Sequence, residues 1–202
     1  MPYPDRFYPV VDSVAWVARL TKLGVGTIQL RAKNLNDADA LKIVREALDV
    51  TKGTATRLVV NDYWRAAIEA KARHLHLGQE DLADADLEAI HAAGLTLGIS
   101  THDDAELASA LAARPDYVAL GPIFFTTLKS MRFAPQGIVK ITEWKKRVGN
   151  IPLVAIGGIK FEHAADIFAA GADSIAVVSD VTQNADPDAR VRQWLGASAK
   201  AA

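Results

Sequence analysis

Residues able to receive multiply charged anions recur at intervals along this chain, mostly at the ends of short apolar runs. In TIQLRAK (27–33) alternate side chains of an extended strand share a face, which groups Gln29, Arg31 and Lys33. A guanidinium fork and an ammonium beside an amide suit a doubly or triply charged anion. The plainer alternative for the two cations is a surface salt bridge. RLVVND ends in Asn61-Asp62, and HLHLG runs into GQED, whose last residue is Asp81. Two carboxylates on neighbouring strand ends can bracket one hard cation. Magnesium typically takes one or two protein carboxylates and completes its shell with water and phosphate oxygens. Taken singly, Asp62, Asp81 and Ser100 (in GISTH) equally suit helix N-caps. GPIFFTTLKSM (121–131) places Lys129 with the hydroxyls of Thr126 and Thr127 in a long strand exit, the kind of loop that covers a reaction centre. PLVAIGG and SIAVVSD end in Gly157-Gly158 and near Ser179, where a phosphate could approach bare backbone and helix N–H groups.

These residues need a scaffold that brings strand ends together. The strands read as FYPVVD, TIQLRAK, RLVVND, HLHLG, TLGIS, YVALG, PLVAIGG and SIAVVSD. Between them, segments such as DADALKIVREALDVTK repeat apolar residues every three to four positions, as amphipathic helices require. Strand–helix alternation predicts either a closed (β/α)8 barrel or a doubly wound sheet. The first strand exit, VVDSVAW, lacks the glycines of a dinucleotide fingerprint. Polar residues close strand after strand, and a barrel gathers all those ends at one mouth. The expectation is one α/β domain, a (β/α)8 TIM barrel over 1–202, near the lower size limit of the fold.

Composition narrows the function classes. Lys plus Arg total 23 and Asp plus Glu 24, which argues against a broad nucleic-acid or anionic-membrane surface while allowing a local cation cluster. With no cysteine there is no thiol nucleophile or zinc–thiolate site. No window reaches the roughly 18 apolar residues of a membrane span, and the opening MPYPDRFYPV lacks a signal-peptide core, so a cytoplasmic protein is expected. The histidines are less telling. His74 and His76 share a strand face but have no evident third metal ligand. Together the mouth holds a metal-plus-cation site on strands two to six and a phosphate site on strands seven and eight, which suggests group transfer with diphosphate leaving.

QLRAK, VVND, HLGQED, GISTH, DYVALGPIF, APQG, PLVAIGGI and IAVVSD, in that order, resemble the thiamine phosphate synthase family along nearly the whole chain. The resemblance implies joining 4-amino-2-methyl-5-(diphosphooxymethyl)pyrimidine to a methylthiazole ethyl phosphate, with magnesium, to give thiamine phosphate and diphosphate. It implies that Gln29, Arg31, Lys33, Asn61, Ser100 and Lys129 hold the pyrimidine diphosphate and that Asp62 and Asp81 bind magnesium. It also implies that Thr126, Thr127, Leu128, Gly158, Val178 and Ser179 contact the thiazole phosphate. The implied chemistry is dissociative: diphosphate departs first and the thiazole nitrogen captures a pyrimidinylmethyl cation, with Lys129 and Arg31 as the main leaving-group stabilisers. One departure stands out. The family's sixth-strand loop usually reads Pro-Thr-any-Thr-Lys, whereas this chain has Phe125 for the proline and Leu128 for the second hydroxyl. Small-molecule substrates are the expected partners, with no nucleic acid and no membrane; the sequence leaves a homo-oligomer open. The competing readings are a thiazole tautomerase-like isomerase and a non-catalytic phosphate-ligand sensor. The first needs no diphosphate site and would want a histidine where Pro122 stands; the second needs no leaving-group site.

Overall fold

The computed structural model describes residues 3–126 and 133–199. Eight parallel strands, β1 (Phe7–Val11), β2 (Thr27–Leu30), β3 (Arg57–Asn61), β4 (His74–Leu77), β5 (Thr96–Thr101), β6 (Tyr117–Leu120), β7 (Leu153–Ile156) and β8 (Ser174–Val177), pair in sequence order. The last pairs with the first, closing the barrel. The fold is the expected (β/α)8 barrel. Around it run α1 (Val14–Lys22), α2 (Asp37–Thr51), α3 (Trp64–Glu69), α4 (Gln79–Asp84), α5 (Leu87–Ala92), α6 (Asp104–Ala112), α7 (Gly137–Val148), α8 (Ala164–Ala169), α9 (Ser179–Thr182) and α10 (Pro187–Ala199). None of the described helices is long and apolar enough to cross a membrane.

The strands are short because each must be apolar on both faces. In β6, Tyr117 and Ala119 point into the barrel, where they pack with Tyr8, Val10, Val59, Val154 and Ala176. Val118 and Leu120 point outward against the helices. Polar side chains cap many of the helices. Asn36 accepts from the Asp39 N–H, Asp86 from Ala89 and Asp103 from Glu106, each at 2.9 Å. The β4–β5 crossover holds two short helices, because Asp86 caps a new one after Ala85 turns extended. β2 ends at Leu30, so Arg31 and Lys33 lie in the exit rather than on the strand, although the Arg31 N–H still donates to the Val11 carbonyl at 2.7 Å.

One close approach sets the interior packing. Tyr117 pairs with Gly98 across β5 and β6, and a Cβ at Gly98 would sit on the Tyr117 ring. A fully buried ring cannot retreat without opening a void elsewhere. Gly98→Ala is therefore expected to cost about 2 kcal/mol, read as a fall of roughly 4–8 °C in Tm. An unchanged Tm would mean that the ring has room to move.

Candidate active site

The exits of the strands share one mouth, at the C-terminal end of the barrel. Asp62 follows β3 in the left-handed backbone region (φ 66°), which an aspartate tolerates better than most residues. Its backbone is held from both sides. The Asp62 N–H donates to the His76 carbonyl at 2.9 Å, and the Asp62 carbonyl accepts from the Trp64 N–H at 2.8 Å. Asp81 stands in the first turn of α4, close enough to the Asp62 carboxyl to share a hydrogen bond with it when one of the two is protonated. Lys33 Nζ lies 3.8 Å from Asp62 Oδ2. Burial, then the Asp81 charge and their shared hydrogen bond, push the Asp62 carboxyl up to about 6, against the pull of Lys33 and Arg31. A carboxylate pair in this state takes up a cation readily, since a cation relieves the repulsion.

The capping alternatives can now be decided. Tyr63, not Asp62, occupies the N-cap position of α3, and no side chain caps that helix. Gly78 occupies the cap position of α4 and Asp86 caps α5, so Asp81 caps neither. Asp103 caps α6, which leaves Ser100 free of that duty. Thr101 is spent elsewhere: its hydroxyl donates to the Ala119 carbonyl at 3.0 Å and accepts from the Trp144 indole at 3.1 Å. Neither carboxylate is consumed in holding the local fold.

Asn61 closes β3 and is buried, yet its amide Nδ2 has no hydrogen-bond partner among the described residues. An orphaned buried donor costs free energy unless something else satisfies it. Beside the carboxylate pair, it fits an oxygen of an incoming anion. Gln29 is buried in the barrel and donates from Nε2 to the Tyr8 hydroxyl at 2.7 Å. Ser100 Oγ lies 2.8 Å from His76 Nε2, and its carbonyl accepts from Gln79 Nε2 at 2.7 Å. Tyr8, Tyr117 and Gln79 escaped the sequence reading, and His76 was weighed there only as a metal ligand beside His74. The signal for His76 was its inward register in HLHL, two residues from His74. His74 itself lies at the opposite end, stacked on Tyr3 at 4.6 Å, and burial with the nearby arginines pushes its imidazole down to about 4. Burial and the Arg31 charge push the His76 imidazole down to about 3.

The second half of the mouth is built from β6, β7 and β8. Past β6, Ile123 and Phe124 donate to the carbonyls of Ile156 and Gly157 at 2.9 Å each, so the loop first runs along the β7 exit. Its return limb is pinned where Gln136 donates from N to the Pro122 carbonyl (2.8 Å) and from Nε2 to the His102 carbonyl (2.7 Å). Phe133 stacks flat on His102 at 4.7 Å. Thr126 sits half-buried on the outgoing limb; Thr127, Leu128 and Lys129 lie outside the described residues. The glycine pair behaves differently from expectation. Both glycines have positive φ, and a Cβ on Gly157 would stand 2.7 Å from Pro122 Cα, while one on Gly158 would strike the Phe124 and Phe125 carbonyls. The backbone brought close here is the chain's own sixth-strand loop. Val178 precedes α9 and Ser179 opens it, both half-buried at the β8 exit.

A cavity of about 670 Å³ lies at the far end of the barrel, lined by Ile68, Lys71, Arg73, His74 and Thr96 among others. It lacks a carboxylate pair. The chemistry-bearing residues are at the mouth.

The family described as thiamine monophosphate synthase matches residues 7–181. The chain is 54% identical to a thiamine-phosphate synthase of Rhizobium etli over 195 residues, 96% of each chain. It is 50% identical to the thiamine-phosphate synthase of Salmonella enteritidis, over 96% of this chain and 92% of that one. Among solved structures, it resembles a thiamine phosphate pyrophosphorylase from Pyrococcus furiosus with a TM-score of 0.84 and 26% identity, over 96% of both chains.

Asp62→Asn keeps a residue that tolerates positive φ and removes one of the two repelling charges. In thermal melts without metal at neutral pH it is expected to raise Tm by about 2–4 °C and to abolish the further rise that magnesium gives the parent. A lower Tm would recast this carboxylate as a structural group.

Proposed function

The chain belongs to the thiamine monophosphate synthase family, and from that premise we propose that it condenses 4-amino-2-methyl-5-(diphosphooxymethyl)pyrimidine with a methylthiazole ethyl phosphate, giving thiamine phosphate and diphosphate. The observation that carries this reading is an unspent set of charges. Asp62, Asp81, Lys33 and Arg31 act on one another in one mouth, beside an Asn61 amide with no partner. A tautomerase or a sensor has no use for that set.

Gln29, Arg31, Lys33, Asn61, Ser100 and Lys129 take the pyrimidine diphosphate. Thr126, Thr127, Leu128, Gly158, Val178 and Ser179 take the thiazole phosphate. The carbon–oxygen bond to diphosphate breaks with its electron pair leaving on oxygen, and the aminopyrimidine ring spreads the positive charge left on the methylene. The thiazole nitrogen lone pair then forms the new carbon–nitrogen bond. This chemistry asks for no protein nucleophile or strong base, and its demand is electrostatic. Arg31 and Lys129 stabilise charge growing on the departing oxygens, while Lys33 and the Asn61 amide orient the diphosphate.

Asp62 and Asp81 fit a magnesium ion. They are adjacent carboxylates that repel each other, and no group of three or more protein ligands able to hold a metal occurs among the described residues. A hard cation held by two carboxylates completes its shell with water and substrate oxygens. When bound, it supplies positive charge to the diphosphate. Nothing in this chemistry calls for a membrane or a nucleic acid, and we place the enzyme in the cytoplasm.

Incubation of the purified protein with both substrates is expected to yield thiamine phosphate and diphosphate one-to-one, only with magnesium. Absence of product while the thiazole phosphate still binds would overturn the assignment. Lys129→Ala is expected to lower kcat about 10²-fold with little change in thiazole phosphate Kd; equal losses in both would remove Lys129 from the leaving-group role.

A further inference from the structure

Five side chains from five strands form one unbroken hydrogen-bond chain through the barrel. Gln29 Nε2 of β2 donates to the Tyr8 hydroxyl of β1 at 2.7 Å. The Tyr8 hydroxyl lies 2.8 Å from the Tyr117 hydroxyl of β6. That hydroxyl lies 3.0 Å from His76 Nδ1 of β4, and His76 Nε2 lies 2.8 Å from Ser100 Oγ of β5. The middle three residues are buried, whereas Ser100 is half-exposed at the mouth.

Such a chain has a direction. Burial pushes both phenols far above their ordinary range, so each keeps its single proton. The imidazole lies between two hydroxyls, and in its neutral form it offers one N–H and one bare nitrogen to them. A hydroxyl that receives a proton from one neighbour must donate its own to the next. With the Gln29 amide N–H donating to Tyr8, Tyr8 donates to Tyr117 and Tyr117 donates to His76 Nδ1. The imidazole then carries its proton on Nε2 and donates to Ser100 Oγ. Two groups remain for the mouth: the Gln29 carbonyl oxygen as an acceptor and the Ser100 hydroxyl hydrogen as a donor. Reversing the chain would exchange these roles and turn the Gln29 amino group outward. Electrostatics favours the first sense. Gln29 and Arg31 are two residues apart, and the Arg31 charge is felt as deep as His76, so the negative end of the amide belongs toward the mouth.

We propose that Tyr8, Tyr117 and His76 are positioning residues that lock Gln29 and Ser100 into one joint orientation, an acceptor and a donor offered to the ring of the pyrimidine substrate. The inference rests on the reading above, in which Gln29 and Ser100 bind that substrate. An aminopyrimidine carries both an N–H donor and ring-nitrogen acceptors, which this pair complements. Breaking the chain at either tyrosine hydroxyl cuts the path by which the sense of one end fixes the sense of the other.

The test has two readouts on the full-length protein. Long-range proton–nitrogen NMR at neutral pH, with His76 assigned by loss of its signals in His76→Gln, reads the tautomer directly. The expected form is neutral with the proton on Nε2, becoming a mixture of tautomers in Tyr117→Phe. A proton on Nδ1, or a charged ring, overturns the proposed sense. In steady-state kinetics, Tyr8→Phe and Tyr117→Phe each remove two links of the chain and are expected to raise KM for the pyrimidine diphosphate about tenfold, with KM for the thiazole phosphate unchanged. An equal rise in both, or none, refutes the relay. A parent protein that forms no thiamine phosphate would defeat the assigned function instead, and the tautomer would still be read. Should the tyrosine variants fail to fold, the parent's tautomer still decides.

Discussion

A closed parallel barrel has no solvated face, so any polar side chain pointing inward must find a partner inside or reach the mouth. This constraint governs the molecule. The interior is packed by Tyr8, Val10, Val59, Tyr117, Ala119, Val154 and Ala176, leaving no layer of water to satisfy stray donors. Tyr8, Tyr117 and His76 meet the constraint by bonding to one another, and their ends emerge as Gln29 and Ser100. Asn61 does not meet it: one residue before Asp62, its amide is unpaired among the described residues. Other buried polar atoms also lack partners among the described residues, Arg6 Nε and Thr21 Oγ1 among them, but the Asn61 amide is the one that stands beside the carboxylate pair at the mouth.

The same enclosure sets the charge balance at the mouth. Burial and the neighbouring Asp81 charge raise the cost of ionising Asp62, and Lys33 and Arg31 offset part of it. The set is poised between a proton and a cation, since a cation would relieve the same repulsion that the proton does. The helices meanwhile draw their caps from other residues, Asn36, Asp86 and Asp103, which keeps the reactive carboxylates unspent.

Much of this was legible in the chain. The alternation of apolar runs with amphipathic segments implied the barrel, because strands apolar on both faces must be covered on both. Cations, amides and carboxylates at successive strand ends implied a mouth for multiply charged anions, since only one end of a parallel barrel collects those positions. Individual residues were less clear. Asp62, Asp81 and Ser100 each looked as much like helix caps as ligands, for the chemistry of a cap and of a cation ligand is the same oxygen. Gly157-Gly158 suggested a close backbone approach, and on the side where Cβ atoms would stand it is the backbone of residues 122–125 that comes close.

The sequence by itself determined the alternation, the fold class and the inventory of charged strand ends, because these depend on side-chain type and on periods of two and about 3.6 residues. The tertiary structure alone decided which aspartates were spent on caps, which amide was left without a partner, and that Tyr8, Tyr117 and His76 join Gln29 to Ser100. Those facts depend on distances between residues as far apart as 109 positions in the chain. Barrel closure sets such distances, and no local pattern encodes them.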